Sequence, residues 1–405
     1  MLILTQYFPP EVGAPQNRLY ELAIRLQRNG MEVTVLTAMP NYPQMEIQEA
    51  YKGKKYFYEE MNGLKVHRSS IYVSKNRSII SRLRNYFSFV YSSARVGIKY
   101  IGAVDIIFCE SPPLFLGYSA LKLKQKKKAK LIFNVSDLWP ESAEKLGVVT
   151  NKYLLKLAYN LEEKLYRNSA LVTGQTQGIC KDIGYRFPNK KTYWLPNGAD
   201  LNYYDPAVVP DNEWRKENGF SNSDFIFLYA GIIGIAQGLE VILNAAKEVK
   251  DKPGLKFVLL GSGPEKEKLQ RLKIAEHLDN VFFMDAVTKD KMPGILKSVD
   301  AVIVPLKKLD LFKGAIPSKL FESLAMQKPV LLGVDGEARD LFIEQGKCGL
   351  YFEPENVKEL AGGILKLSGD PSLAKQLGEN GRNYVNANFN RDTIANKFME
   401  QLNHL

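Results

Sequence analysis

Short apolar runs alternate with stretches of helical periodicity along almost the whole chain. Runs at 2–8, 32–38, 64–72, 106–110, 130–135, 171–176 and 192–195 predict strands in the first half. A second series follows at 225–230, 256–260, 281–285, 301–305, 329–334 and 350–352. Helical segments lie between most of them, the pattern of parallel sheets covered on both faces. Two such series predict an α/β chain of two doubly wound, Rossmann-like domains. The turn-rich Leu195-Pro-Asn-Gly-Ala-Asp200, followed by Tyr203-Tyr204-Asp205-Pro206, is the linker candidate. Open parallel sheets bind ligands beyond the carboxyl ends of their strands, so a cleft between the domains is the expected site.

One helical stretch, 78–102, has two readings. Ile79, Leu83, Tyr86, Val90, Ala94 and Ile101 recur at helical spacing, with Arg84, Arg95 and Lys99 on another side and Phe87, Phe89 and Tyr91 widening the apolar surface. Such a helix either packs within an α/β layer or lies on anionic lipid headgroups, where each basic residue contributes about 1 kcal/mol.

Composition narrows the class. At 405 residues the chain is long enough for two domains, and 45% hydrophobic with 11% aromatic residues excludes a disordered or fibrous protein. Its 55 Lys+Arg and 44 Asp+Glu give a net +11, shared unevenly. Before residue 195 there are 29 basic and 15 acidic residues, against 26 and 29 in the rest. Lys52, Lys54, Lys55, Arg68, Lys75, Arg77, Arg82, Arg84 and the run 122–130 carry much of that excess. An anionic partner for the first half alone is implied, and without a recognised reader motif nucleic acid is not it. Cys109, Cys180 and Cys348 form no disulfide or zinc spacing, and His67, His277 and His404 neighbour no second ligand. The amino terminus lacks a leader pattern, and no run of ~18 apolar residues occurs. The expectation is a cytoplasmic chain, soluble or peripheral to a membrane.

Several loops carry candidate chemistry. The first strand runs into Phe8-Pro-Pro-Glu-Val-Gly-Ala-Pro-Gln-Asn-Arg18, which is not Gly-x-Gly-x-x-Gly, so no nicotinamide or flavin cofactor is expected. Gly13 and Ala14 either admit an anion at the following helix, with Arg18 one turn inside, or form a plain turn. Gly231 and Gly234, after the strand 225–230, and Gly261 with Pro264, after 256–260, likewise suit phosphate contact or tight turns. Gly314-Ala-Ile-Pro-Ser-Lys-Leu-Phe-Glu322 is the most informative stretch. Pro317 fits a first helical turn. Ser318, Lys319 and Glu322 then offer a hydroxyl, an ammonium and a carboxylate suited to ribose on one face, unless the stretch is helix punctuation. Asp137, beside Trp139 past the strand 130–135, is a site acid or a helix N-cap. No Asp-x-Asp occurs, so no metal-bridged diphosphate is indicated.

Taken in order, the segments 6–18, 39–43, 136–141, 195–200, 231–239, 261–264 and 317–322 resemble the family 4 glycosyltransferases of GT-B fold. The likeness spans the chain, and within the family it is nearest to bacterial transferases of capsule, O-antigen and lipopolysaccharide assembly similar to N-acetyl-L-fucosamine transferases. It implies an acceptor-binding domain over 1–200, completed by a crossing helix in 386–405, and a nucleotide-sugar domain over 201–385. Glu322 matches the second glutamate of the family's Glu-x7-Glu motif, the ribose ligand, whereas Gly314 takes the place of the first. Ile232 and Gln237 stand where an Arg and a Lys commonly hold the diphosphate. Lys319 is the candidate for that missing charge, helped by the Pro317–Ser318 amides and Arg18, with Gly13, Ala14, Gly231, Gly234, Gln237 and Gly261 along the donor. Backbone near Phe283 and Met284 would hold the base. Asn41, Tyr42, Trp139 and Glu141 fall to the acceptor, and Asp137 replaces a common histidine beside the transferred sugar.

The resemblance implies metal-independent transfer with retained configuration from a nucleotide sugar, UDP-linked, to a polyprenyl-diphosphate-linked saccharide at an anionic membrane surface. The leaving diphosphate takes the acceptor proton, so charge stabilisation and orientation are the protein's main tasks. Two alternatives stay open. A sugar-nucleotide epimerase of the same fold would work without an acceptor. A catalytically silent nucleotide-sugar or membrane scaffold would fit the departures at Ile232, Gln237 and Gly314.

Overall fold

The computed structural model describes residues 1–405 except Val12, Pro43, Arg77, Leu146 and Val148, and omits the side chain of Ala14. Pro43 of the 39–43 segment, Arg77 of the basic series and the Ala14 side chain therefore lie outside the described residues. The chain forms two compact units, Met1–Pro196 with Asp392–Leu405, and Asn197–Arg391.

The first unit holds β1 (Leu2–Leu4), β2 (Thr34–Ala38), β3 (Tyr56–Met61), β4 (Leu64–Ser69), β5 (Ile106–Ser111), β6 (Lys130–Val135), β7 (Leu171–Gly174) and β8 (Thr192–Trp194). Their order is β3-β4-β2-β1-β5-β6-β7-β8. Only β3 runs antiparallel, against β4. Strand alternation sorts the side chains. Leu2, Leu4, Leu36 and Phe133 enter one buried cluster, and Ile3, Val35, Phe108 and Ile132 the other. The order reverses at β1, which pairs with β2 on one side and β5 on the other. That reversal opens a ligand-sized crevice past the β1 carboxyl end in folds of this kind. β1 is shorter than the predicted 2–8 run, because Thr5 Oγ1 donates to the Tyr7 carbonyl and Phe8 N to Glu11, turning the chain away. β3 has no place among the predicted strands, since its half-exposed residues form no apolar run. Asn62-Gly63, both at positive φ (49° and 81°), is the two-residue turn that makes the β3–β4 hairpin.

Four helices of this unit matter below: α1 (Ala14–Arg28), α2 (Ile79–Tyr100), α3 (Gly117–Lys127) and α4 (Lys152–Asn168). The buried face of α2 extends the predicted one: Ala94, and Ile101 just past the helix, are inside and Leu83, Tyr86 and Val90 pack partly buried on the core, whereas Ile79 at its start is exposed. Ser81, Asn85, Phe89, Ser92, Ser93, Ala94, Val96 and Gly97 are inside, while Ile79, Ile80, Phe87, Tyr91 and Ile98 are exposed. Hydrogen bonding and close approach account for this. Ser92 Oγ donates to the Ser70 carbonyl, Ser93 Oγ to Ser119 Oγ, and Asn85 Nδ2 to the Tyr72 carbonyl. A side chain on Gly97 would press into Leu123.

The second unit is a wholly parallel sheet of β9 (Phe225–Ala230), β10 (Leu255–Leu260), β11 (Val281–Met284), β12 (Ala301–Pro305), β13 (Val330–Gly333) and β14 (Gly349–Tyr351), ordered β11-β10-β9-β12-β13-β14. Its order reverses at β9. The helices used below are α5 (Glu240–Glu248), α6 (Lys266–Ala275), α7 (Lys319–Ala325) and α8 (Pro371–Phe389). Phe389 closes α8 against Phe321, Phe342 and Tyr384, which holds that helix in the second unit. The last helix, α9 (Arg391–Asn403), returns to the first, where Ala395 and Phe398 join the cluster of Ile3 and Phe108. Among the described residues no helix is long and apolar enough to cross a membrane.

Candidate functional site

In the second unit, the loops past β9 and β10 lie backbone on backbone. Gly231, Gly261 and Gly263 have φ of 137°, 151° and 156°, and a Cβ on Gly261 or Gly263 would overlap the Gly231 or Ile233 carbonyl. Gly231 N donates to the Leu260 carbonyl and Ile233 N to the Ser262 carbonyl, fixing the pair of turns. Glycine is obligatory here on steric grounds, which the sequence could present only as a choice between turn and site. Gln237 folds back so that its Oε1 would stand 2.9 Å from a Cβ on Gly234.

Lys319 opens α7 and reaches this turn. Its Nζ stands 3.6 Å from the centre of the Tyr229 ring and would be 3.0 Å from a Cβ on Gly231. Among the described residues no carboxylate is within ion-pair distance of it. Burial lowers its pKa to about 7, against the opposing pull of Glu322. Glu322 shares a hydrogen bond with the hydroxyl of Tyr204, whose own pKa is raised by burial and then by that carboxylate. Tyr204 is fully buried, so it anchors Glu322 from the protein side. The sequence singled out Lys319 and Glu322 but assigned no role to Tyr204 or Tyr229.

The expected anion-binding start lies at a short helix. Ser318 precedes a helix of only seven residues, and its side chain makes no cap bond. Leu320 N donates to the Pro317 carbonyl and Phe321 N to the Ser318 carbonyl, while Pro317 has no N–H to offer. The amides of Leu320 and Phe321 are thus engaged in the turn itself. At the sheet edge, Phe283 packs on the core. The Met284 carbonyl accepts from Gly261 N (3.0 Å) and from Lys266 Nζ (3.3 Å). Lys266 also donates to Asp285 at 2.7 Å. No sequence signal marks Lys266.

In the first unit, Arg18 is not a free cation. Its Nη2 donates to Glu110 at 2.8 Å and to Ser136 Oγ at 2.9 Å, and Asn134 Nδ2 donates to the other Glu110 oxygen at 2.7 Å. Both charged side chains are buried, so the expected diphosphate contact of Arg18 gives way to an internal ion pair. Gly13 is extended, and a side chain there would overlap Gln16, whose fold-back it permits. Asn41 and Tyr42 are held by a residue the sequence did not flag. Glu11 Oε1 accepts from both backbone amides at 2.8 Å, and Oε2 accepts from Phe8 N. Burial raises the Glu11 pKa, with those amides opposing.

Asp137 is reached from the surface, yet the protein crowding its carboxylate raises its pKa, with a Ser142 Oγ bond of 2.8 Å opposing. Trp139 packs edge-on to Phe115, 5.4 Å between ring centres. Glu141 begins a five-residue helix and pairs with Lys145 one turn on. Gly13, Ala14, Arg18, Asn41, Tyr42, Asp137, Trp139 and Glu141 belong to the first unit, and the remaining candidates to the second.

Comparison with known proteins adds a family. Residues 16–203 match the model of Glycosyltransferase Family 4, and residues 210–384 that of Glycosyl transferases group 1. Escherichia coli K12 WcaI, named as a colanic acid biosynthesis glycosyl transferase, is 25% identical over 98% of this chain and 97% of its own. Sucrose-phosphate synthase from Thermosynechococcus elongatus superposes with a TM-score of 0.77 at 18% identity, over 100% of this chain and 98% of that one. Anabaena HepE, solved in complex with UDP and glucose, superposes with a TM-score of 0.72 at 17% identity, over 100% and 99%.

Proposed function

Because the chain belongs to the family 4 glycosyltransferases, of GT-B fold, we propose that it transfers a sugar from a UDP-sugar to a polyprenyl-diphosphate-linked saccharide during cell-surface polysaccharide assembly, with retained configuration and without a metal. The observation that carries the donor half is Lys319, a half-buried cation with no carboxylate beside it, set against the Gly231 turn. One helical turn on, Glu322 is held by Tyr204 and suits the two ribose hydroxyls. Lys319 then meets the charge that grows on the leaving diphosphate, the term that dominates in transfers of this kind. Asp137 is assigned to hydroxyls of the transferred sugar. The complex of HepE with UDP supports a uridine nucleotide, and the name of WcaI supports polysaccharide synthesis. N-acetyl-L-fucosamine is the donor sugar to try first.

Thermal stabilisation by UDP, GDP and TDP tests the donor half. The preferred nucleotide at about a hundred times its dissociation constant adds roughly 2.7 kcal/mol. Glu322→Ala abolishes most of that gain, and a wild-type chain indifferent to all three nucleotides sinks the reading.

The exposed face of α2 supports the membrane half. Ile80, Phe87, Tyr91 and Ile98 are exposed and follow one another at intervals of seven, four and seven residues. At about 100° per residue they form one stripe within roughly 40° along the helix. Arg84, Arg95 and Lys99 flank it, and residues 61–104 contain no Asp or Glu. Cosedimentation with vesicles containing phosphatidylglycerol is expected at low salt and is lost in a Phe87→Ser, Tyr91→Ser double variant. Equal sedimentation with neutral vesicles, or none at all, removes the membrane half.

A further inference from the structure

Tyr229 is the penultimate residue of β9, two residues before Gly231, and it is 1% exposed. Its ring face carries Lys319 Nζ at 3.6 Å, and its hydroxyl donates to the Ile232 carbonyl at 2.5 Å. A Cβ placed on Gly231 would meet Lys319 Nζ at 3.0 Å and the Tyr229 hydroxyl at 3.7 Å, so ammonium, hydroxyl and turn converge on one point. A buried phenol needs a hydrogen-bond partner, and here that partner is the Ile232 carbonyl, within the turn that leaves the strand. The negative face of the ring attracts an ammonium that has no carboxylate to pair with. Phenylalanine would fill the same space and supply the ring, but not the tether.

Resting on the nucleotide-sugar reading above, we propose that Tyr229 is the positioning residue of the diphosphate cradle: its ring seats Lys319 while its hydroxyl fixes the Gly231–Ile232 turn. Tyr229 touches no substrate. It holds the cation and the backbone that do, and it stays beneath Lys319 when the diphosphate arrives from the other side.

Titration calorimetry with UDP and GDP, each paired with its nucleoside, isolates the diphosphate contribution. Tyr229→Phe is expected to weaken the bound diphosphate about three- to tenfold, the range of one neutral hydrogen bond, with nucleoside affinity unchanged and a small fall in melting temperature from the lost buried bond. Pentafluorophenylalanine at the same position keeps the shape but removes the attraction of the ring face, and a further two- to fivefold loss of diphosphate affinity is expected. That further loss disappears in a Lys319→Met background, whereas the loss from Tyr229→Phe persists. Wild-type affinity in Tyr229→Phe overturns the tether. Unchanged or tighter binding with the fluorinated ring overturns the seat. Equal losses for diphosphate and nucleoside reduce Tyr229 to general packing. A wild-type chain that binds neither diphosphate fails at the earlier step and takes this proposal with it, a result distinct from the others.

Discussion

Arg18 and Lys319 are both cations held past the sheet in their units, and they differ in what faces them. Arg18 is buried with Glu110, Ser136 and Asn134 gathered around the pair, so its charge and both Glu110 oxygens have protein partners. Lys319 has an aromatic ring, a glycine turn and the more distant pull of Glu322. A buried charge with its counter-charge in place is architecture. Lys319, half-buried with no carboxylate within ion-pair distance among the described residues, is the contrast on which the proposed diphosphate contact rests.

The sharpest way to break that comparison is through stability. Glu110→Ala leaves Arg18 buried without its carboxylate, which costs about 3–5 kcal/mol when one partner of a buried pair is removed. Lys319→Met has the opposite sign, since it replaces an incompletely solvated cation by an apolar side chain of similar length. Urea denaturation should therefore show a strongly destabilised Glu110→Ala and a Lys319→Met at least as stable as wild type. A destabilised Lys319→Met would mean that the lysine already has its partner within the fold.

The next effect belongs to binding. Lys319→Met is expected to weaken UDP by about 1.5–3 kcal/mol, the worth of a hydrogen bond to a charged group, and to leave uridine nearly unaffected. Arg18→Lys, by contrast, should alter stability more than nucleotide affinity, because one guanidinium nitrogen, Nη2, serves both Glu110 and Ser136 inside the fold. Equal losses of UDP and uridine in Lys319→Met would separate the lysine from the diphosphate.

The sheets were legible in the sequence because parallel strands buried on both faces read as unbroken apolar runs, as in β9 and β12. β3 was not, since an edge strand with half-exposed residues has no such run, and only Asn62-Gly63 betrays the hairpin. The α2 face was legible where Leu83, Tyr86, Val90 and Ala94 turn to the core, but not in full. Periodicity counts apolar residues and takes them as buried, whereas here serines and Asn85 find backbone and side-chain partners inside while Phe87 and Tyr91 face out. At the candidate site, Lys319 and Glu322 could be singled out by residue type and spacing. Tyr204, Tyr229 and Glu11 could not, because their roles depend on partners distant in sequence: Glu322, Lys319, and the amides of Asn41 and Tyr42.

The smallest expected effect is a pH dependence, and its sign is fixed by the Lys319 environment. Burial takes the ammonium from an ordinary 10.5 down to about 7. Between those values the unfolded chain binds more protons than the native one, so this group makes stability rise with pH across that window and contributes no slope below it. A bound diphosphate favours the ammonium and raises its pKa, so binding takes up a proton in the same window. UDP affinity is accordingly expected to fall between about pH 7 and about pH 9, by at most tenfold per unit for a single proton. Calorimetry in two buffers of different ionisation enthalpy would report the proton directly, and Lys319→Met should abolish both the slope and the uptake. A slope that survives in Lys319→Met belongs to another group, and a flat wild-type profile means that Lys319 is already charged on its ring before the nucleotide arrives.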